Sequence, residues 1–111
     1  AQEAALQTVR PGVSTRVIDA AARTVIAEAG YGEYFGHGLG HGLGLQIHEA
    51  PWLRPNADTP VAPGMVFTLE PGIYLPGWGG VRIEDDVLVT PDGVERLTHL
   101  PRDLEAMQIF A

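Results

Sequence analysis

The sequence has no cysteine, so disulfides and thiolate metal sites are both excluded. It has no lysine either: all seven basic residues are arginine, and the formal net charge is −7. An acidic chain lacks the basic footprint that nucleic-acid phosphates require, whereas it suits a cationic partner such as a metal ion. No apolar run approaches the roughly 20 residues of a membrane span. The first nine residues show neither the basic start nor the apolar stretch of a signal peptide. Neither nucleic acid nor a membrane is therefore expected as a partner. The composition present is globular, with 45% apolar and 19% charged residues in a chain of 111. That length supports one domain with its own core and is too short for two. Fourteen glycines and nine prolines make the chain rich in turns. It begins at Ala1, without methionine, in helix-like text, and reads as a piece of a longer chain.

Residues 1–9 are good helix formers with no cap before them. Pro11-Gly12 marks a turn, and Ser14 or Thr15 can cap a second helix. From Val17 to Ala29, Val17, Ile18, Ala21, Val25, Ile26 and Ala29 recur at helical spacing, and Gly30 is a natural stop. Beyond Gly32 the helical period vanishes. Met65 to Glu70 reads as a strand closed by Pro71-Gly72. Val81 to Thr90 reads as a second, closed by Pro91-Asp92-Gly93, and Glu95 to Thr98 as a third after a hairpin turn. The fold class expected is α+β, with helices first and an antiparallel sheet after them.

Glycine fills every even position from 36 to 44, interleaved with His37, Leu39, His41 and Leu43. A helix there is implausible, at about 1 kcal/mol per glycine relative to alanine. Extended backbone would place the four side chains on one face and leave the other face bare for close approach. Three of the four histidines lie within residues 37–48, which points to a site rather than incidental packing. Carboxylates arrive at strand ends. Alternation puts Val66, Thr68 and Glu70 on one face, and Arg82 with Glu84 on another, with Asp85 turned the opposite way. Singly these read as solvated ends or a surface ion pair. Together with the histidines they make a mixed His/carboxylate set suited to Mn, Co, Zn or Fe.

Gly40-His41-Gly42-Leu43-Gly44 followed by His48-Glu49, then Leu69-Glu70-Pro71-Gly72, then Gly80-Val81-Arg82-Ile83-Glu84-Asp85, resembles the C-terminal half of the pita-bread metallopeptidases. That family includes Xaa-Pro dipeptidase (prolidase), aminopeptidase P, methionine aminopeptidase and creatinase. Arg10-Pro11-Gly12-Val13 is similar to the family as well. His48-Glu49-Ala50-Pro51 and the Gly79 to Asp85 run lean toward the proline-specific branch.

The resemblance implies half of a pita-bread fold, with helices packed on a curved antiparallel sheet, spanning residues 1–111 as the C-terminal part of one catalytic domain. It implies hydrolysis of Xaa-Pro bonds through a metal-bridged water, with two divalent ions, Mn or Co first and Zn or Fe also fitting. His41, Glu70 and Glu84 match metal ligands, Glu70 also serving as proton shuttle and Glu84 as the bridging carboxylate. His48 matches a histidine that bonds substrate and tetrahedral intermediate, and His37 a further pocket histidine with a catalytic and substrate-binding role. Tyr74 and Arg82 match positions that either contact the substrate or lie just behind the metal ligands. The expected partners are short peptides with proline second, and a second subunit in the intact enzyme; the expected location is cytoplasmic. Two of the family's five ligands are aspartates upstream of the histidine. The only aspartate before His41 is Asp19, mid-helix and alone, so the 111-residue chain by itself is expected to be inactive. The alternatives are a creatinase-like hydrolase and a non-catalytic binding module on the same fold.

Overall fold

Ser14 sets the start of the longest element. In the computed structural model, which describes residues 1–110, α1 (Gln2–Thr8) is followed by α2 (Thr15–Glu28). The Ser14 side chain accepts the Arg16 N–H at 3.2 Å, satisfying a donor that the helix itself cannot. Gly30 ends the run at φ 91°, a left-handed conformation that residues with a Cβ rarely take. The buried stripe of α2 is Thr15, Ile18, Asp19, Ala22 and Ile26. It is rotated from the apolar face read in the sequence, because Val17 and Val25 are exposed. The row Ile18, Ala22, Ile26, spaced by four, is the one that enters the core, and the two valines fall on its flank.

A single 3-10 turn (Gly32–Tyr34) leads from the helices to the strands. These are β1 (Gly40–Gly42), β2 (Glu49–Leu53), β3 (Val66–Leu69), β4 (Gly72–Leu75), β5 (Gly79–Arg82), β6 (Asp85–Thr90) and β7 (Gly93–Arg96). A five-stranded sheet runs β2-β1-β3-β6-β7, and β4 and β5 form a separate hairpin. Every pairing is antiparallel, so the architecture is α+β, with α1 and α2 preceding the sheet. Phe67 and Leu69 from β3, with Val87 and Val89 from β6, meet Ile18, Ala22 and Ile26 of α2 in one core. A short helix, α3 (Leu104–Met107), capped by the Asp103 side chain, comes after the sheet.

Three local expectations are corrected. Val81 to Thr90 is two strands, not one. The chain leaves the hairpin after Arg82, where the Ile83 N–H donates to the Pro71 carbonyl, and enters the main sheet at Asp85. The strand expected at Glu95–Thr98 lies at Gly93–Arg96, paired residue for residue with Val87–Thr90. The glycine-histidine segment is strand only at Gly40–Gly42, so its four side chains do not share a face. Leu39 is fully buried in the core while His41 and Leu43 border a cavity. The Leu39 N–H is bonded to the Asp19 carboxylate at 3.0 Å, which takes it out of any sheet ladder.

Candidate metal centre

β1 carries His41, and Glu70 comes directly after the end of β3. Glycine lets β1 lie close against β3 on one side and β2 on the other. A Cβ on Gly40 would collide with the Thr68 carbonyl, and one on Gly42 with the Ala50 carbonyl. With that approach made, the His41 N–H donates to Thr68 Oγ1 at 3.1 Å. The Glu70 N–H donates to the Leu39 carbonyl at 2.7 Å. The histidine and the first carboxylate are therefore both held through their backbone N–H groups, one by a side-chain hydroxyl and one by a carbonyl.

His41 Nδ1 lies 2.8 Å from the Gly42 carbonyl. A carbonyl only accepts, so Nδ1 carries a proton and the ring is oriented with Nε2 toward the carboxylates. Nε2 stands 3.4 Å from Glu70 Oε2. Glu84, between β5 and β6, reaches the same place beside Glu70. Burial pushes the Glu84 carboxyl above its ordinary value, and the charge and hydrogen bonding of Glu70 push it further, with Arg82 opposing. His41, Glu70 and Glu84 all line one cavity of about 380 Å³, together with His48, Thr68, Arg82 and Asp86.

One imidazole nitrogen beside two adjacent carboxylates fits a divalent cation. The backbone bond to Nδ1–H is the arrangement that orients metal-binding imidazoles. Among the described residues, however, no three His, Asp or Glu side chains form a ready-made cation cage. Asp19, the only aspartate before His41, is not among the residues lining this cavity. It is buried on α2 and paired with Arg23 at 2.8 Å.

The other residues singled out in the sequence fall into two places. The His48 ring is exposed at the cavity, with its centroid 4.3 Å from that of His41. His37 does not line the cavity: its Nε2 lies 2.7 Å from the Tyr74 hydroxyl. That hydroxyl, and after it Glu84, favours the charged form of Arg82. Arg82 Nε is in turn 3.6 Å from Glu84 Oε2. His37, Tyr74 and Arg82 thus form a chain of contacts ending at the cavity wall.

Thr68 and Asp86 line the cavity without having been picked as site residues, although strand parity places them with Glu70 and Glu84. Asp85 faces away, as parity requires, but it is buried rather than solvated. It accepts hydrogen bonds from Gln2 at 2.9 Å and Thr98 at 2.8 Å, and ion-pairs with Arg96 and Arg102. His99 is exposed.

The profile of metallopeptidase family M24 matches residues 1–91. The Xaa-Pro dipeptidase of Pyrococcus horikoshii is 51% identical over 104 residues, covering 94% of this chain and 30% of that protein. The crystal structure of the prolidase from Pyrococcus horikoshii superposes with a TM-score of 0.90 at 50% identity, over 93% of this chain and 30% of that one. The X-Pro aminopeptidase from Thermotoga maritima superposes at 0.88 and 51% identity, over 92% of this chain and 29% of that one. The chain thus spans under a third of the length of these relatives. Matched by profile over most of its residues and sharing the mixed helix and antiparallel-sheet fold of these peptidases, the chain belongs to metallopeptidase family M24.

Proposed function

We propose that residues 1–111 are the C-terminal part of the catalytic domain of a metal-dependent peptidase that hydrolyses Xaa-Pro bonds. The observation that carries the reading is the His41 ring, held through Nδ1 by the Gly42 carbonyl with Nε2 set 3.4 Å from Glu70. His41, Glu70 and Glu84 are the ligands this chain contributes. The remaining ligands, two aspartates in the resemblance, belong to sequence outside these residues. Divalent ions held there, Mn or Co first, supply Lewis-acid activation of water near neutral pH.

This chain's residues perform the other steps. Glu70 takes a proton from the attacking water at a carboxylate oxygen and delivers it to the leaving nitrogen. His48, beside His41 and open to the cavity, donates to the oxygen of the scissile carbonyl as charge develops there. His37, Tyr74 and Arg82 contact the peptide. The substrates are short peptides with proline at the second position. The same reading carries a homodimer and a cytoplasmic location. No helix among the described residues is long and apolar enough to cross a membrane. A creatinase-like reaction needs no metal, and the His41, Glu70 and Glu84 donor set favours the metal-dependent reading over it.

The test separates the two histidines in the intact protein. His41→Ala removes a ligand, so bound metal per chain and activity fall together. His48→Ala keeps its metal and lowers kcat about 10²–10³-fold, the cost of losing one oxyanion donor. Metal content and kcat on an Xaa-Pro peptide at saturation decide it. Loss of metal from His48→Ala with retention in His41→Ala reverses the roles, and full activity in both refutes the site.

A further inference from the structure

The segment from Phe35 to Leu39 carries His37 yet belongs to no strand. Its buried backbone groups still need partners, and α2 provides them. Asp19 is 1% exposed and meets Arg23 through two contacts, Oδ2 to Nε at 2.8 Å and Oδ1 to Nη2 at 2.9 Å. The paired guanidinium donates to the Phe35 carbonyl from Nη1 and to the His37 carbonyl from Nη2, each at 2.9 Å. It also lies over the Phe35 ring, 4.1 Å from the centroid. Asp19 Oδ1 accepts the Leu39 N–H at 3.0 Å. One ion pair therefore grips residues 35, 37 and 39.

The last of these contacts reaches the His37 ring through one peptide unit. The Leu39 N–H and the Gly38 carbonyl are the two ends of the same planar group. With its N–H held by Asp19, the carbonyl is aimed at His37, whose Nδ1 lies 2.7 Å away. Because that oxygen only accepts, Nδ1 carries the proton and Nε2 is left as an acceptor. Nε2 then receives the Tyr74 O–H at 2.7 Å.

We infer that Asp19 and Arg23 are positioning residues that fix the His37 tautomer by locking the 38–39 peptide plane, and through it set the direction of the hydrogen bond from Tyr74. Its bearing on catalysis rests on the proposed function, in which His37 contacts the peptide. The tautomer itself does not.

Selective ¹⁵N labelling of histidine in the intact protein, with His37→Gln to assign the signal, reads the proton position from two-bond nitrogen–hydrogen correlations. The measurement is made near pH 8, above the ordinary histidine value of about 6.5. The wild type shows His37 with its proton on Nδ1. Asp19→Ala moves it to a mixture or to Nε2, and Asp19→Asn, which keeps an acceptor for the Leu39 N–H, restores Nδ1. His41, tied to the Gly42 carbonyl instead, keeps its Nδ1 proton throughout and is the control for general disruption. A wild-type His37 protonated on Nε2 overturns the inference, as does an Asp19→Ala spectrum identical to wild type. If Asp19→Ala does not fold, Arg23→Lys decides: an ammonium cannot replace the fork to both carbonyls, so mixed tautomers are expected and an unchanged His37 refutes the lock. The readout needs neither metal nor peptide. A protein that cleaves no Xaa-Pro peptide but shows the tautomer change refutes the peptidase reading alone. Full turnover with an unmoved tautomer refutes this one alone.

Discussion

Asp85→Asn removes one charge and almost no volume from the most connected buried group in the chain. Oδ2 of Asp85 faces Gln2 Nε2 at 2.9 Å and Arg102 Nη1 at 3.4 Å. Oδ1 faces Thr98 Oγ1 at 2.8 Å and Arg96 Nη2 at 3.3 Å. Whichever oxygen becomes an amide nitrogen, a donor then points at an arginine that can only donate. A hydrogen bond to a charged group contributes about 1.5–3 kcal/mol. The arginine contacts are long and about a quarter exposed, so they belong at or below the lower end. The expected loss is about 2–4 kcal/mol, below the cost of breaking a fully buried pair. The pH dependence has a definite sign. Burial alone would raise the Asp85 carboxyl, but Gln2, Thr98, Arg96 and Arg102 together hold it below the ordinary aspartate value. A carboxyl depressed in the folded state contributes stability that is complete above its unfolded value of about 3.9. That stability is lost as pH falls through the lower folded value. Urea unfolding of wild type and variant at pH 7 and in acid below the unfolded aspartate value measures both effects. A change below about 0.5 kcal/mol at pH 7, or a difference that does not shrink in acid, refutes the network as a source of stability.

Gly40→Ala pushes a methyl into the Thr68 carbonyl; overpacking costs about 1–3 kcal/mol, and His41 moves with its strand, so metal affinity of the intact protein falls alongside the urea midpoint. Phe67→Ala empties the largest fully buried side chain and costs about 3–5 kcal/mol by the same measurement; a smaller loss means the core closes over the hole. Withdrawing divalent ions from the intact protein with a chelator lowers its unfolding temperature, because an ion bound only to the folded state stabilises it; an unchanged melt argues against a cation between Glu70 and Glu84.

Local chemistry alone made α2 legible. A hydroxyl cap at Ser14, a run of helical spacing and a glycine at Gly30 act within a few residues of one another, and the helix runs from Thr15 to Glu28. Period-two alternation likewise put Thr68 with Glu70 and turned Asp85 away from Glu84, and the cavity lining obeys that parity. The ordered motifs around His41, Glu70 and Glu84 carried the family, which the profile match shows independently. Tertiary structure decided the rest. The break at Ile83–Glu84 exists because one side of it pairs in the hairpin and the other in the main sheet, a division invisible in a run that is β-like throughout. Asp85 reads only as a carboxylate turned away from Glu84 until Gln2, 83 positions away, is brought against it. Asp19 reads only as a lone mid-helix aspartate, although Arg23 stands four residues on. Only the packing of that helix under residues 35–39 turns the pair toward the backbone that holds His37. Periodicity and capping are set by neighbours in sequence, whereas the partners of a buried charge are set by which distant segments the fold brings within hydrogen-bonding reach.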